Sequence, residues 1–226
     1  MNIIKLENYS EEYKKLLQKY KHKKNINVDK MIKEYIHNNE IHFQLTNNTL
    51  ELFERNKYAS TYGELTMEGM KTILDNINIL SLKTINDIRF IDLGSGLGKL
   101  PLMVCYYFNG KKCTGIELST ERHNKAMTMY QKLPLELQKK INYINDDIFN
   151  VKLGSYLSEY NFIFISNLCF PDDINKKLDE KLKECKSGTN IICSKPINSS
   201  HLIFVNKFPV KMTWSDSSIV HHYIKI

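Results

Sequence analysis

The residues whose types and spacing suit chemistry begin in one tract. Asp92-Leu93-Gly94-Ser95-Gly96-Leu97-Gly98-Lys99 joins the apolar run Arg89 to Leu93 to a helical pattern, so three glycines fall between a strand and a helix. Ligands of open α/β sheets bind beyond the carboxyl ends of the strands, and a glycine turn there lets a ligand approach the backbone closely. A nicotinamide fingerprint would need glycine where Lys99 stands, so the register is D-x-G-x-G-x-G instead. Two further β-rich runs end in acids. Glu117 closes Cys113 to Glu117, and Asp146-Asp147-Ile148 follows Ile141 to Asn145. Carboxylates at strand tips accept hydrogen bonds from ligand hydroxyl or amino groups. Ser166-Asn167-Leu168-Cys169-Phe170 and Ser194-Lys195-Pro196 follow two more such runs.

The elements that must position these residues alternate. Strands are expected at 89–93, 113–117, 141–145, 162–166 and 190–194, with helices at about 98–108, 119–132 and 172–185. Such alternation implies a parallel sheet with helices on both faces. After Pro196 two more strands, 203–214 and 219–226, read as an antiparallel hairpin turning at Ser215 to Ser218. Upstream, Leu65, Met67, Met70, Ile73, Leu74, Ile77 and Leu80 predict a helix over 64–80. Residues 10–37 predict two short amphipathic helices split near Asn25 to Asn27. The expected fold is a doubly wound α/β sheet of seven strands, with a basic helical arm at 1–57 and the α/β domain at 58–226.

The chain has 226 residues, 42% hydrophobic and 25% charged, enough to bury a core and unlike a disordered tail. No run of about 18 apolar residues occurs, and the N-terminal stretch carries acids and bases in place of a signal sequence, so an intracellular protein with no membrane partner is expected. Five cysteines, none in C-x-x-C spacing, read as reduced and mostly buried thiols, with no metal site. Of 32 basic residues only Arg55, Arg89 and Arg122 are arginine. That bias suggests A+T-rich coding, as in some protists and large DNA viruses. The net charge of +7 favours a polyanionic partner.

The D-x-G-x-G-x-G turn with Glu117 resembles the class I, Rossmann-like methyltransferases that bind S-adenosylmethionine (SAM). That resemblance implies backbone amides at the methionine carboxylate, Glu117 on the ribose hydroxyls, and Asp147 with Ile148 at the adenine. From about Tyr58 onward, Tyr62-Gly63-Glu64, D-L-G-S-G, N-x-x-F and S-K-P in this order resemble the disruptor-of-telomeric-silencing family, histone lysine methyltransferases without a SET domain. The resemblance implies that Tyr62, Gly63, Glu64 and Leu65 close over the methionine half of SAM. It implies cofactor contacts from Asp92, Gly94, Ser95, Gly96, Gly98 and Lys99, and places Asn167 at the transfer centre. A lysine channel would be lined by Phe170, Trp214 and Tyr223, with His221, His222 or Tyr223 as its roof. Ile148 stands where the family commonly has an aromatic, and Lys99 where the animal form has glutamine.

The implied activity is methyl transfer from SAM to a core histone, by precedent histone H3, in nucleosomes, leaving S-adenosylhomocysteine without help from a metal. A monomer at chromatin in the nucleus is expected, with Lys19, Lys21, Lys23 and Lys24 of the arm along DNA phosphates. A nucleic-acid amino methyltransferase is the rival, because Asn167 to Phe170 distantly resembles an N-P-P-Y loop; the missing prolines count against it. A chromatin module that holds SAM without transferring a methyl group is the third reading.

Overall fold

The computed structural model describes residues 26–38, 45–56, 58, 60–78, 87–151 and 157–226. Contacts divide the chain into two units, Met1–Asn39 and Glu40–Ile226. In the first, helix α1 (Ile26–His37) buries Ile32 and Ile36, one helical turn apart, and carries an Asp29–Lys33 ion pair at 2.7 Å beside them. It matches the second of the two helices expected for the arm. The first of them, with Lys19, Lys21, Lys23 and Lys24, lies outside the described residues.

The larger unit is built on a sheet of β1 (Arg89–Leu93), β2 (Lys112–Glu117), β3 (Ile141–Asn145), β4 (Phe162–Ile165), β5 (Asn190–Cys193), β6 (Leu202–Met212) and β7 (Ser215–Lys225). Their order is β3-β2-β1-β4-β5-β7-β6. The first five are parallel, and β7 runs antiparallel to both β5 and β6. This is the class I methyltransferase sheet. Strands β4 (FIFI) and β5 (NIIC) are buried at every position, as strands covered on both faces must be. Because β1 pairs with β2 on one side and β4 on the other, the chain reverses direction across the sheet beside β1, and a crevice opens there. The register sets Leu93 beside both Ile116 and Ile165, so the loops after β1, β2 and β4 emerge at one edge.

Helices α2 (Asn47–Arg55), α3 (Met67–Asn78), α4 (Lys99–Tyr107), α5 (Thr120–Tyr130), the short α6 (Leu135–Gln138) and α7 (Asp172–Leu182) belong to the same unit. Helix α2, unforeseen in the sequence, starts at Thr46, whose hydroxyl accepts from Thr49 N. Both threonine hydroxyls also donate to the Glu121 carboxylate on α5. Burial alone would raise the Glu121 pKa, but these hydroxyls and that of Ser119 outweigh it and hold the group at about 2.

The hairpin turns earlier than its composition suggests. Ser215 and Ser218 belong to β7, paired with Met212 and Val210, and the loop is only Thr213-Trp214. A register shift between Val210 and Met212 absorbs the change. The polar serines read as a loop, yet they sit at a hairpin end where outward-facing hydroxyls cost nothing. All five cysteines are free; four are buried and Cys169 is exposed. No helix among the described residues is long and apolar enough to cross a membrane.

Candidate active site

The glycine turn is built to hold Glu117. Gly94 N and Ser95 N donate to Ile116 O at 2.9 and 2.8 Å, folding the turn back over the tip of β2. Gly96 N then donates to Glu117 Oε2 at 2.8 Å, and Ser119 N to its Oε1 at 2.9 Å. Gly96 sits at φ +54, and a Cβ there would fall 2.3 Å from Tyr62 Cε2, so no other residue fits. Burial raises the Glu117 pKa, although the two amides and Arg122 pull it down. The turn's amides are therefore spent within the protein: Leu97 N donates to the Tyr62 hydroxyl and Gly98 N to Ser95 O. The expectation that these amides face a methionine carboxylate is not met. The cationic group at that end is Lys99 Nζ, 2.8 Å from Glu64 Oε2 in a buried pair.

A cavity of about 360 Å³ opens over the turn. Tyr62, Gly63, Glu64 and Leu65 line one wall, and Asp92, Gly94, Ser95, Gly96 and Lys99 line the floor with Glu117. Gly98 does not line it: its carbonyl accepts from Tyr143 behind the turn, at 2.6 Å. Asp92 is 4% exposed, and among the described residues no hydrogen bond reaches its carboxylate. Burial, and then the charge of Glu117, push its pKa well above the usual carboxylate range. A buried acid facing a cavity is costly to ionise unless a cation or a hydrogen-bond donor joins it there.

Asp147 and Ile148 line the cavity beyond β3. Asp147 Oδ1 accepts from Phe149 N at 2.9 Å, and its Oδ2 accepts from the Tyr58 hydroxyl at 2.8 Å. Burial and Asp147 together push the Tyr58 phenol above its ordinary pKa. Where Ile148 offers no ring, Phe53, Tyr58 and Phe149 supply aromatic surface in the same cavity. Sequence reasoning missed Phe53, Tyr58 and Arg122. Arg122 stacks 4.8 Å from the Tyr62 ring centre and donates to Ser60 O at 2.7 Å, tying α5 to the Tyr62 loop. No local motif marks any of the three.

At the far end the lining is Ser166, Leu168, Cys169, Phe170 and Trp214. Asn167, expected at the transfer centre, is fully buried outside that lining. Its Oδ1 accepts from Lys195 N at 2.8 Å, and its Nδ2 donates to Asn175 Oδ1 at 2.7 Å and Lys195 O at 3.1 Å. Its neighbours Ser166 and Leu168 line the cavity instead. Tyr223 also departs from expectation. It is 5% exposed among core residues, and its hydroxyl accepts from Ile197 N. His222 is buried against Asn190, and His221 pairs with Cys193 in the β5–β7 ladder. None of these three lines the cavity; its aromatic roof is Trp214, half exposed in the hairpin loop.

Trp214 is seated by Gly63, where a Cβ would fall 2.1 Å from the indole. The two loops are stitched together. Thr213 N donates to Glu64 O and Thr66 N to Lys211 O, while Glu64 N donates to Thr213 Oγ1. The Tyr62 loop and the hairpin thus form a single wall. Among the described residues no cluster of His, Cys, Asp or Glu could hold a metal ion.

Residues 43–212 match the family described as "Histone methylation protein DOT1". A protein of Caenorhabditis elegans named "Histone-lysine N-methyltransferase, H3 lysine-79 specific" is 32% identical over 150 residues, 63% of this chain and 15% of its own length. A Drosophila melanogaster protein of the same name is 25% identical over 146 residues, 61% of this chain and 8% of its own. The chain thus spans less than a fifth of either relative. In fold it is similar to magnesium protoporphyrin IX methyltransferase from Synechocystis, with a TM-score of 0.52 and 10% identity, covering 90% of this chain and 99% of that one. The match over three quarters of the sequence, on this sheet and this turn, makes the chain a member of the DOT1 histone methylation family.

Proposed function

We propose that the chain is a SAM-dependent lysine N-methyltransferase acting on a core histone, histone H3 by the names of its relatives, within nucleosomes. The observation that carries the reading is Asp92, a buried carboxylate without a hydrogen bond that shares a cavity floor with Glu117. One acid would receive an ammonium group and the other a diol, and SAM, an amino acid joined to a nucleoside through its sulfonium, presents both. The donor set also suits the rest of the cofactor. Lys99 would receive the α-carboxylate and Asp147 the adenine amino group, against Phe53, Tyr58 and Phe149.

Bound there, SAM supplies a methyl group made electrophilic by its sulfonium. The protein's own part is positioning and desolvation. An incoming lysine attacks only as a neutral amine, and the apolar rim of Leu168, Phe170 and Trp214 favours that form by excluding water. Tyr62 is no base: burial and Glu64 hold its phenol protonated, and it donates to Glu64. Water is the acceptor this reading gives the amine proton. A nucleosomal substrate would put the protein at chromatin, with Lys19, Lys21, Lys23 and Lys24 as contacts to DNA phosphates.

Labelled SAM offered with nucleosomes, free histones and DNA tests the reading. Label is expected in a nucleosomal histone. Label in DNA would instead favour the amino methyltransferase, and SAM binding without transfer to any of the three would leave only a binding module.

A further inference from the structure

The loop between β4 and α7 carries an aromatic residue of the cavity lining, Phe170, and its backbone is held at both ends. Phe170 N donates to Asn167 O at 3.0 Å. Its carbonyl accepts from Asn175 Nδ2 at 2.9 Å and from Lys195 Nζ at 3.2 Å. Asn175, in the first turn of α7, also donates to Pro171 O at 3.1 Å, and its Oδ1 accepts from Asn167 Nδ2 at 2.7 Å. The amide orientations are fixed by chemistry. Lys195 N can only donate, so Asn167 Oδ1 must face it, and Asn167 Nδ2 must then face Asn175 Oδ1. Asn175 Nδ2 is left for the two carbonyls.

We propose that Asn175 is a positioning residue for methyl transfer: by gripping the Phe170 carbonyl it fixes the aromatic wall of the lysine channel and so sets how many methyl groups one lysine receives. The inference rests on the lysine-transfer reading above. Asn167 joins the tips of β4 and β5, Asn175 carries that anchor to the loop, and Phe170 ends it at the cavity. Leu168 and Cys169, between the anchored residues, are exposed and line the same cavity. A neutral amine must rotate to present its lone pair again after each methylation, and the room for that rotation depends on where the Phe170 ring stands. Surface asparagines near a helix start ordinarily cap it. Here the side chain spends both N–H bonds on carbonyls of the preceding loop and its oxygen on a fully buried partner.

Asn175→Asp tests this, because it keeps the size and the acceptor for Asn167 Nδ2 but turns an anionic oxygen toward two carbonyls. Amide hydrogen exchange at Phe170 should quicken by tenfold or more, with β1 and β2 unchanged. SAM affinity should stay within twofold. On nucleosomes, the ratio of higher methylation states to monomethyl product should shift by at least twofold. Asn175→Ser, which keeps one hydroxyl donor, serves if the aspartate variant fails to fold and should fall between it and wild type. A variant with unchanged Phe170 exchange, or one that slows turnover while leaving the product ratio intact, overturns the role given to Asn175. A wild-type chain that methylates no histone contradicts the enzymatic reading itself, whatever the exchange shows.

Discussion

Replacing Asp92 by asparagine should stabilise the free protein and weaken its hold on SAM, opposite effects from one isosteric change. The Asp92 carboxylate is buried, has no hydrogen bond among the described residues and lies beside Glu117, so its ionised form is disfavoured. An unfolded Asp ionises near pH 3.9, while in the folded protein the pKa is raised. Above about pH 4 the folded state therefore holds a proton that the unfolded state has released. Stability falls as pH rises through this window, by at most about 1.4 kcal/mol per pH unit for one proton, until the folded pKa is passed. The Asp92→Asn side chain would not titrate and could donate to Glu117. Removing an unsatisfied buried group is worth about 1–3 kcal/mol, and each kcal/mol is about 2–4 °C in Tm for a chain of this size. Cofactor binding should move the other way. Losing a hydrogen bond to a charged group costs about 1.5–3 kcal/mol, about 10- to 150-fold in Kd. Binding a cation beside Asp92 should expel the retained proton, so wild-type affinity should rise with pH and the variant's should rise less. Melting curves from pH 5 to 9, and calorimetry in two buffers of different ionisation enthalpy, measure both effects. A variant that melts below wild type throughout, or that binds SAM equally well, would refute the assignment of Asp92 as an unpaired acid waiting for a cation.

Gly63→Ala should cost transfer activity more than stability, because its Cβ falls 2.1 Å from the Trp214 ring and must displace the roof; a nucleosome KM and kcat like those of wild type would show that the roof does not matter. Burial lowers the His222 pKa to about 4, so the folded state binds fewer protons than the unfolded one between there and about 6.5. Stability should fall as pH drops through that window, and His222→Gln should flatten this acid limb in denaturant titrations. Replacing Lys19, Lys21, Lys23 and Lys24 by Gln should lower the log-log salt slope of nucleosome binding by about 0.9 per lost phosphate contact while sparing SAM affinity. An unchanged slope would move DNA docking to the α/β domain.

The residues that the backbone itself requires were legible. Three glycines, Asp92 and Glu117 announce a turn that admits no other side chains, and the runs FIFI and NIIC can only be buried strands. What the sequence hides is parity and long-range contact. Asn167 and Ser166 are neighbours at a strand end, and nothing local says which one faces the cavity; the amide of Asn167 is satisfied by Lys195 and Asn175, so the serine does. Tyr223 was expected in the channel for the same reason, and its hydroxyl is held inside by Ile197 N. Helix α2 has few apolar positions, and its hold on the domain includes buried Phe53 against Arg122 and the bonds of Thr46 and Thr49 to Glu121, more than 70 residues away. Tyr58 on Asp147 and Arg122 on Ser60 are likewise pairings that only the fold creates.

The most direct test of the account is to incubate the protein with SAM and nucleosomes, digest the histones and locate added methyl groups by mass spectrometry, with Glu117→Ala alongside. The account predicts methylated lysine on a core histone, favours histone H3, and expects the signal to fall at least tenfold in the variant at limiting SAM. Methyl groups on DNA alone, or a Glu117→Ala variant as active as wild type at limiting SAM, would contradict it.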